Sequence, residues 1–244
     1  MREDWASREW QDLKYATITL TTFRGALLSN DLGHVVLALG RTEPGGVGLL
    51  GTGFAVSPTK IATAYHVIGA DDKNINLVMP RTRRLADYQD TSDQRVNFSP
   101  LTVSAVDPIR DLCVLSLTED SRLSFAYSIS SSDACPPGST VTTLGFPHAN
   151  VGRMVLTQQT TQVGARVLIE HAGTKSKHIV LNIQAREGQS GGPVFTSDGR
   201  SVAAVLIGSY APGGGGQISL GGVDPATLHQ TTHAISAEYL LAMI

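Results

Sequence analysis

The chain has 244 residues, a formal net charge of −2, 25 glycines, 11 prolines and only 16% charged residues. This length suits a single all-β unit with a substantial core, and the small net charge provides no basic field that would favour nucleic acid or an anionic membrane as a partner. Charges of both signs at the start and the lack of a membrane-spanning run predict a soluble, cytoplasmic protein with no signal peptide.

The chain begins with an extension, residues 1–33, that contains both tryptophans, Trp5 and Trp10, in a stretch compatible with a helix. Packing against the rest of the protein is the interpretation we favour for this segment. A partner-binding or self-associating arm is the alternative.

Short β-rich runs follow, separated by the turn-forming sequences EPGG, SPTK, ACPPG and SDGR. Because no helical interval repeats between them, the pattern predicts an all-β barrel or sandwich rather than a parallel α/β sheet. A polar stretch at 82–99 predicts a long surface loop, PGGGG at 212–216 a flexible loop, and 236–244 a closing helix with Ser236 as its N-cap. The predicted strands are 34–39, 53–56, 61–64, 75–78, 101–106, 112–117, 140–144, 165–169, 179–183 and 202–207.

Two cysteines, Cys113 and Cys135, are too few for a disulfide framework. Cys113 lies in the apolar run LCVLSL, where a thiol behaves as a small buried hydrophobe. Whether the two cysteines meet is left open at this point. The sequence predicts neither a metal site nor a cofactor.

The segment REGQSGGPVF, residues 186–195, places a serine among glycines. Acyl transfer generates an oxyanion, which preorganised backbone N–H donors stabilise, and Gly188 could turn its own N–H and that of Ser190 toward one point. Gly191 and Gly192 are expected to let the substrate backbone approach closely. A plain Gly/Ser turn between strands is the alternative for a lone SGG, but the longer GxSGGP pattern before an apolar strand is more specific.

A serine hydroxyl needs a base, and the base needs an orienting group. His66 is the candidate base because the strand GTGFAV, the turn SPTK and the strand IATA deliver it at a strand end. Asp111 directly precedes the apolar strand LCVLSL and is the candidate acid. Asp107 is its rival, although the adjacent Pro108 makes a turn the favoured interpretation there.

These stretches, in the order His, Asp, Ser, resemble the trypsin-like serine peptidases, most closely the bacterial HtrA/Deg branch, over roughly residues 35–240. The shared motifs are GTGF at 51–54, His66-Val67, DPIRDL at 107–112, TLGFP at 143–147 and GQSGGP at 188–193. The resemblance implies two six-stranded antiparallel β-barrels, about 34–120 and about 132–234, with a short C-terminal helix. The triad would lie in the cleft between the barrels.

The same resemblance implies a serine endopeptidase that cleaves polypeptides through an acyl-enzyme. A catalytically inactive binding protein on this fold and an esterase are the alternatives.

Gln189 replaces the aspartate that secreted trypsins use as a zymogen switch, and no PDZ domain is expected after the protease. Gln184, followed by Ala185, falls at the base of the primary specificity pocket, which argues against cleavage after Lys or Arg. Arg186 and Glu187 either contact substrate or pair with each other.

Overall fold

The structure is a computed structural model that describes residues 29–79, 84–92, 95–118, 121–210 and 231–244. The predictions made for Trp5, Trp10 and the loop 212–216 lie outside these residues, and so do both interpretations of the segment that contains the tryptophans, packing and partner binding. Within the described ranges, no helix is long and apolar enough to cross a membrane.

The first half of the chain forms a closed barrel in the strand order β1-β2-β3-β6-β5-β4. A 3-10 helix at Ser29–Val35 leads into it, so His34, predicted to begin a strand, lies in a helical turn instead. A one-turn helix, α1 (Tyr65–Ile68), follows the third strand. The strands are β1 (Val36–Glu43), β2 (Gly46–Ser57), β3 (Lys60–Ala64), β4 (Ile75–Met79), β5 (Asn97–Asp107) and β6 (Leu112–Leu117).

The second half forms another six-stranded antiparallel barrel, in the order β11-β8-β9-β10-β13-β12 and closed by the pairing of β11 with β12. The short β7 adds a parallel pairing outside β12. The predicted fold of two six-stranded barrels is therefore confirmed. The strands are β7 (Ser128–Ile129), β8 (Thr140–Gly145), β9 (Thr157–His171), β10 (Thr174–Leu181), β11 (Pro193–Thr196), β12 (Ser201–Tyr210) and β13 (Thr231–Ser236).

Each barrel has its own interior, and a third apolar cluster joins the two. In β1, Leu37 and Leu39 point into the first barrel, whereas Val36 and Ala38 belong to a cluster shared with second-barrel residues such as Phe146 and Phe195. A strand buried on both faces loses the apolar–polar alternation of a half-buried strand. The shared cluster fixes the barrels against each other.

The two cysteines lie in different cores, Cys113 in the first barrel and Cys135 in the second, and both are free thiols. They do not meet.

The closing helix and the polar loop differ in detail from the prediction. The C-terminal helix is a 3-10 helix, Ala237–Ala242, and the Ser236 hydroxyl does not cap it but accepts a hydrogen bond from the Ser132 N–H at 2.9 Å. In the polar segment, β5 begins at Asn97, and Gln89 bonds both backbone groups of Leu156 at 2.7 Å each. This loop is thus tied to the second barrel by a side-chain amide that imitates a strand pairing.

Candidate active site

His66 and Asp111 are brought together because β3 and β6 are paired strands. Ala64, the last residue of β3, pairs with Leu112, the first of β6, so the residues just beyond each strand are neighbours. The α1 turn ends at Gly69, whose φ of 70° lies in the left-handed region that favours glycine, and the Gly69 N–H donates to the Tyr65 carbonyl at 2.8 Å. This one-turn helix carries His66 two residues after the end of β3, within hydrogen-bond distance of Asp111.

Three hydrogen bonds link these two segments. His66 Nδ1 lies 2.6 Å from Asp111 Oδ2, and the His66 backbone N–H donates to Asp111 Oδ1 at 2.8 Å. The Tyr65 N–H donates to the Asp111 carbonyl at 3.0 Å. A carboxylate that accepts at Nδ1 fixes the ring orientation and leaves Nε2 as the free basic nitrogen.

Asp107, the rival acid, has a different partner. Its carboxylate accepts from the Arg110 backbone N–H at 3.0 Å and from an Arg110 guanidinium nitrogen at 2.7 Å, which closes the turn before β6. The hydrogen bond to Asp107 raises the pKa of Arg110. The Arg110 guanidinium also lies over the Tyr239 ring, 4.5 Å from its centroid. The structure thus places Asp111, and not Asp107, against the imidazole.

Ser190 lies in a tight loop between β10 and β11. The Gln189 N–H donates to the Arg186 carbonyl at 3.1 Å, and the Gly192 N–H donates to the Gln189 carbonyl at 3.0 Å. The Ser190 carbonyl accepts from the Thr52 N–H of the first barrel at 3.1 Å, and its hydroxyl donates to the Ile207 carbonyl on β12 at 2.9 Å. The candidate nucleophile is therefore half-buried between the two barrels.

Two glycines show how near the Ser190 loop comes to the His66 turn. A Cβ on Gly51 would lie 2.9 Å from the Val67 side chain and 3.3 Å from the Ser190 carbonyl, so Gly51 separates the residue after His66 from Ser190. A Cβ on Gly191 would lie 2.9 Å from the Ala64 nitrogen, at the end of the strand that leads to His66. The loop that carries Ser190 thus packs against the part of the first barrel that leads to His66.

Gly188 has the backbone shape that was expected of an oxyanion donor. Its φ is +88°, and a Cβ there would come 2.6 Å from the Ala149 nitrogen, so only glycine fits. The preceding carbonyl, that of Glu187, accepts from the His148 N–H at 2.6 Å. Because a trans peptide directs its C=O and N–H to opposite sides, this bond turns the Gly188 N–H away from His148.

The lack of side chains at Gly191 and Gly192 serves a different purpose from the expected one. They were expected to leave room for the substrate backbone, but they face protein. A Cβ on Gly191 would collide with the Thr52 carbonyl and the Thr63 hydroxyl, and one on Gly192 would lie 2.5 Å from the Leu144 carbonyl. These glycines let the nucleophile loop pack tightly against β2 and β8.

Gln189 is nearly fully buried, with 2% of its surface exposed, and its side chain closes the loop. Its Oε1 accepts from the Arg186 N–H at 2.7 Å, and its Nε2 donates to Gln159 Oε1 at 2.9 Å. Neutral amide bonds therefore occupy the place at which secreted trypsins form a charged switch. Sequence inspection found Gln189 but not Gln159, because β9 is distant along the chain.

The candidate pocket residues lie just before this loop. Ala185 is buried and its N–H donates to the Thr232 hydroxyl at 2.8 Å, while that hydroxyl donates to the Ile183 carbonyl at 2.6 Å. Gln184 between them is half-buried. A Cβ on Gly208 would lie 3.9 Å from the Ser190 hydroxyl, which places β12 beside the nucleophile.

Of the two charged residues next to this loop, Glu187 has a partner of its own. Its carboxylate accepts from the Asn150 side-chain amide at 2.6 Å. This contact differs from the pairing with Arg186 that was one of the two expectations.

Comparison with known proteins places this site in a family. Residues 51–204, more than half of the chain, match the family model described as a trypsin-like peptidase domain. A curated relative from Rickettsia conorii, named a probable periplasmic serine endoprotease DegP-like, is 30% identical over 164 residues, which cover 67% of this chain. The match spans only 29% of that relative's length.

Solved structures share the fold at lower identity. The MamO protease domain from Magnetospirillum magneticum superposes with a TM-score of 0.63 at 14% identity, covering 89% of this chain and 99% of that one. The active form of the Rv3671c protease from M. tuberculosis gives 0.61 at 16% identity, covering 93% and 92%. The HtrA-type protease AlgW, solved with a decapeptide, gives 0.60 at 15% identity, covering 86% and 63%.

The family model covers the stretch that contains His66, Asp111 and Ser190, and the HtrA-type neighbours share the two-barrel fold. The chain belongs to the trypsin-like peptidase family, and its similarity to a DegP-like relative agrees with the resemblance to the HtrA/Deg branch.

Proposed function

We propose that this chain is a serine endopeptidase in which His66, Asp111 and Ser190 form a catalytic triad. The observation that supports this most strongly is the two-point contact of His66 with Asp111, at 2.6 Å from Nδ1 and 2.8 Å from the backbone N–H, while Gly51 lies between Val67 and the Ser190 carbonyl. A surface His–Asp pair needs no such double anchoring. An imidazole that must keep one tautomer through a reaction does.

In the proposed mechanism, the Ser190 hydroxyl leaves the Ile207 carbonyl, rotates toward His66 Nε2 and attacks the scissile carbonyl as Nε2 takes its proton. Asp111 stabilises the imidazolium. His66 then protonates the leaving amine, and an acyl-enzyme on Ser190 remains. Water attacks this ester with His66 again as the base, which releases the new carboxylate and restores the hydroxyl.

The N–H groups of Gly188 and Ser190 are the proposed oxyanion donors. The positive φ of Gly188 and the His148–Glu187 hydrogen bond that turns its peptide support this role. Loss of one such donor typically lowers kcat by about 10²- to 10³-fold, because no water can replace it in a closed site.

An extended polypeptide is the proposed substrate, paired with β12 alongside Gly208. Gln184 and Ala185 would form the base of the primary pocket. Neither residue carries a charge, so we expect no preference for cleavage after Lys or Arg.

The substitution Ser190→Ala in the full chain tests the proposal. Wild type should cleave casein and be labelled by a fluorophosphonate probe, and Ser190→Ala should lose both properties because it lacks the hydroxyl that His66 would deprotonate. The matched control is Ser197→Ala, an exposed serine in the turn after β11, which should behave as wild type.

Three results would contradict the proposal. Casein cleavage that persists in Ser190→Ala would remove the assigned nucleophile. Wild type that is folded but neither cleaves nor is labelled would be a binding protein on a protease fold. Turnover of small esters without cleavage of any peptide in a proteome-derived library would make it an esterase.

A further inference from the structure

Thr52 lies in the first barrel but directs its side chain to the second. It sits on β2 opposite Ala38 and is fully buried. A buried hydroxyl is costly unless it is hydrogen-bonded. Its Oγ1 donates to the Gly188 carbonyl at 2.7 Å and accepts from the Phe146 N–H at 3.0 Å, so both of its functions are used across the barrel interface.

The backbone of Thr52 makes a second connection to the same loop. Its N–H donates to the Ser190 carbonyl at 3.1 Å. One residue therefore holds the carbonyls of both Gly188 and Ser190, the residues whose N–H groups are the proposed oxyanion donors. The Thr52 carbonyl in turn accepts from the Thr63 hydroxyl at 2.7 Å, which ties Thr52 to β3.

These hydrogen bonds fix the orientation of the Gly188 and Ser190 N–H groups. Because peptide units are planar, a residue's φ and ψ are set once the units on both sides are held. The unit before Gly188 is held by His148 and the one after it by the Thr52 hydroxyl. The unit before Ser190 is held by the Gly192 N–H and the one after it by the Thr52 N–H.

The shape of the surroundings fits threonine closely. A Cβ on Gly145 would lie 3.1 Å from the Thr52 hydroxyl, and one on Gly192 would lie 3.5 Å from the Thr52 methyl group. The hydroxyl thus faces the Gly145–Phe146 segment and Gly188, while the methyl group faces Gly192. Valine would place a methyl group where both hydrogen bonds run.

We propose that Thr52 is a positioning residue that holds the oxyanion loop, residues 186–190, in its working shape from the opposite barrel. This inference rests on the proposed function, because it gives Thr52 a role only through Gly188 and Ser190. A displacement of about 1 Å can cost 10²-fold in rate when donors must meet a transition state. The effect therefore falls on kcat and not on the binding of the uncleaved substrate.

The test compares Thr52→Val with Thr52→Ser in the full chain, on a cleavable peptide found with wild type. Thr52→Val should lower kcat by about 10²- to 10³-fold, as loss of an oxyanion donor does, with KM within about threefold of wild type. Thr52→Ser keeps both hydrogen bonds and should stay within about tenfold of wild-type kcat. A peptide boronic acid, whose Ser190 adduct resembles the tetrahedral anion, should bind Thr52→Val about 10²-fold more weakly.

Tyr127→Phe is the matched control, since it also removes a buried hydroxyl that hydrogen-bonds a backbone group, the Ala55 carbonyl on β2, without a contact to the Ser190 loop among the described hydrogen bonds. It should lower the melting temperature as Thr52→Val does and keep kcat within about tenfold. If Thr52→Val does not fold at the assay temperature, Thr52→Ala replaces it with the same expected loss.

The inference is overturned if a folded Thr52→Val or Thr52→Ala keeps wild-type kcat, if both lose activity only through KM, or if a folded Thr52→Ser is as inactive as Thr52→Val. These results leave the proposed function intact when wild type is active and Ser190→Ala is not. An inactive wild type removes the proposed function itself, and this inference with it.

Discussion

At the scale of single residues, the site depends on which of two nearby aspartates reaches the imidazole. Asp111 has a φ of +55°, in the left-handed region that aspartate and asparagine tolerate better than most residues. That conformation places its carboxylate against His66, while its carbonyl remains bonded to the Tyr65 N–H. Asp107, four positions earlier, instead closes the turn with Arg110.

Because the two aspartates have different partners, we expect Asp111→Asn and Asp107→Asn to have different effects on activity. Asparagine tolerates the left-handed backbone, so Asp111→Asn should fold with nearly the wild-type melting temperature. Its kcat should fall on the order of 10⁴-fold, the magnitude known for this change in a His-Asp-Ser triad, because an amide favours the wrong imidazole tautomer.

Asp107→Asn serves as the control for that comparison. Its asparagine can still accept from the Arg110 N–H, so it should lose little activity, since the ion pair it removes is partly exposed. Peptide cleavage and thermal melting measure both variants. Equal losses of kcat in the two would contradict the assignment of Asp111.

At the scale of elements, β10 links the nucleophile loop to the rest of the second barrel. It pairs with β9 on one side and β13 on the other, and Val180 faces His233 across the β10–β13 pair. His178 lies on the same face, two residues from Val180. Burial lowers the pKa of both His178 and His233, which means that the fold favours their neutral forms.

The stability of the protein should therefore fall as the pH drops below about 6.5, the ordinary histidine pKa. Above that value both histidines are neutral in the folded and unfolded states alike. Below it the two histidines bind protons in the unfolded chain before they do so in the folded protein, which favours unfolding. The stabilisation present above the histidine pKa of the unfolded chain is therefore lost as the pH falls through the lower histidine pKa of the folded protein. The decrease in melting temperature between pH 7.5 and 5.0 should be smaller in His178→Gln than in wild type.

His171→Gln is the matched control for this measurement, because His171 ends β9 at the exposed tip of the hairpin. It should leave the pH dependence of the melting temperature unchanged. If His178→Gln shows the full wild-type decrease, burial of this histidine does not contribute to the acid sensitivity.

At the scale of the whole molecule, the two barrels are held together by a shared core. The shared cluster joins Val36 and Phe54 of the first barrel to Phe146 and Phe195 of the second. The Tyr127 hydroxyl, in the connection between the barrels, donates to the Ala55 carbonyl, and the Tyr127 ring packs edge-on against Phe195. Neither barrel can unfold without exposing part of this apolar surface, so we expect one cooperative transition.

The two cysteines report on this cooperativity. Burial raises the pKa of Cys113 to about 12 and also raises that of Cys135, so neither thiol should react with a disulfide reagent at pH 8 in the folded protein. In Cys113→Ala the remaining thiol, Cys135, reports on the second barrel. In Cys135→Ala the remaining thiol, Cys113, reports on the first barrel. For each variant, the urea concentration at which labelling begins is divided by the unfolding midpoint measured by circular dichroism. This ratio should be the same in the two variants. Exposure of one thiol well before the global midpoint would show that its barrel unfolds alone.

Local sequence was sufficient to select the candidate triad residues because each of them lies at a junction of a short strand and a turn. His66 follows IATA, Asp111 precedes LCVLSL, and Ser190 lies within the glycines before β11, so the pattern near each residue already indicates its surroundings. The strand periods likewise predicted an all-β fold. They missed the first halves of β9 and β10, because these parts, TQQTTQ at 157–162 and TKSKH at 174–178, are polar and carry no apolar alternation.

What only the tertiary structure decided are the contacts between residues far apart in the chain. Thr52 and Gly188 are 136 positions apart, and Gln159 and Gln189 are 30 apart, so no local pattern relates them. The same holds for Gly191 and Gly192, whose local pattern suggested room for substrate but whose missing side chains make room for β2 and β8. The sequence by itself determined which residues are chemically able to form the site, since residue type and strand ends are local properties. The packing of one barrel on the other decided how the nucleophile loop is held, because a hydrogen bond is formed by atoms that are close in space and not by residues that are close in sequence.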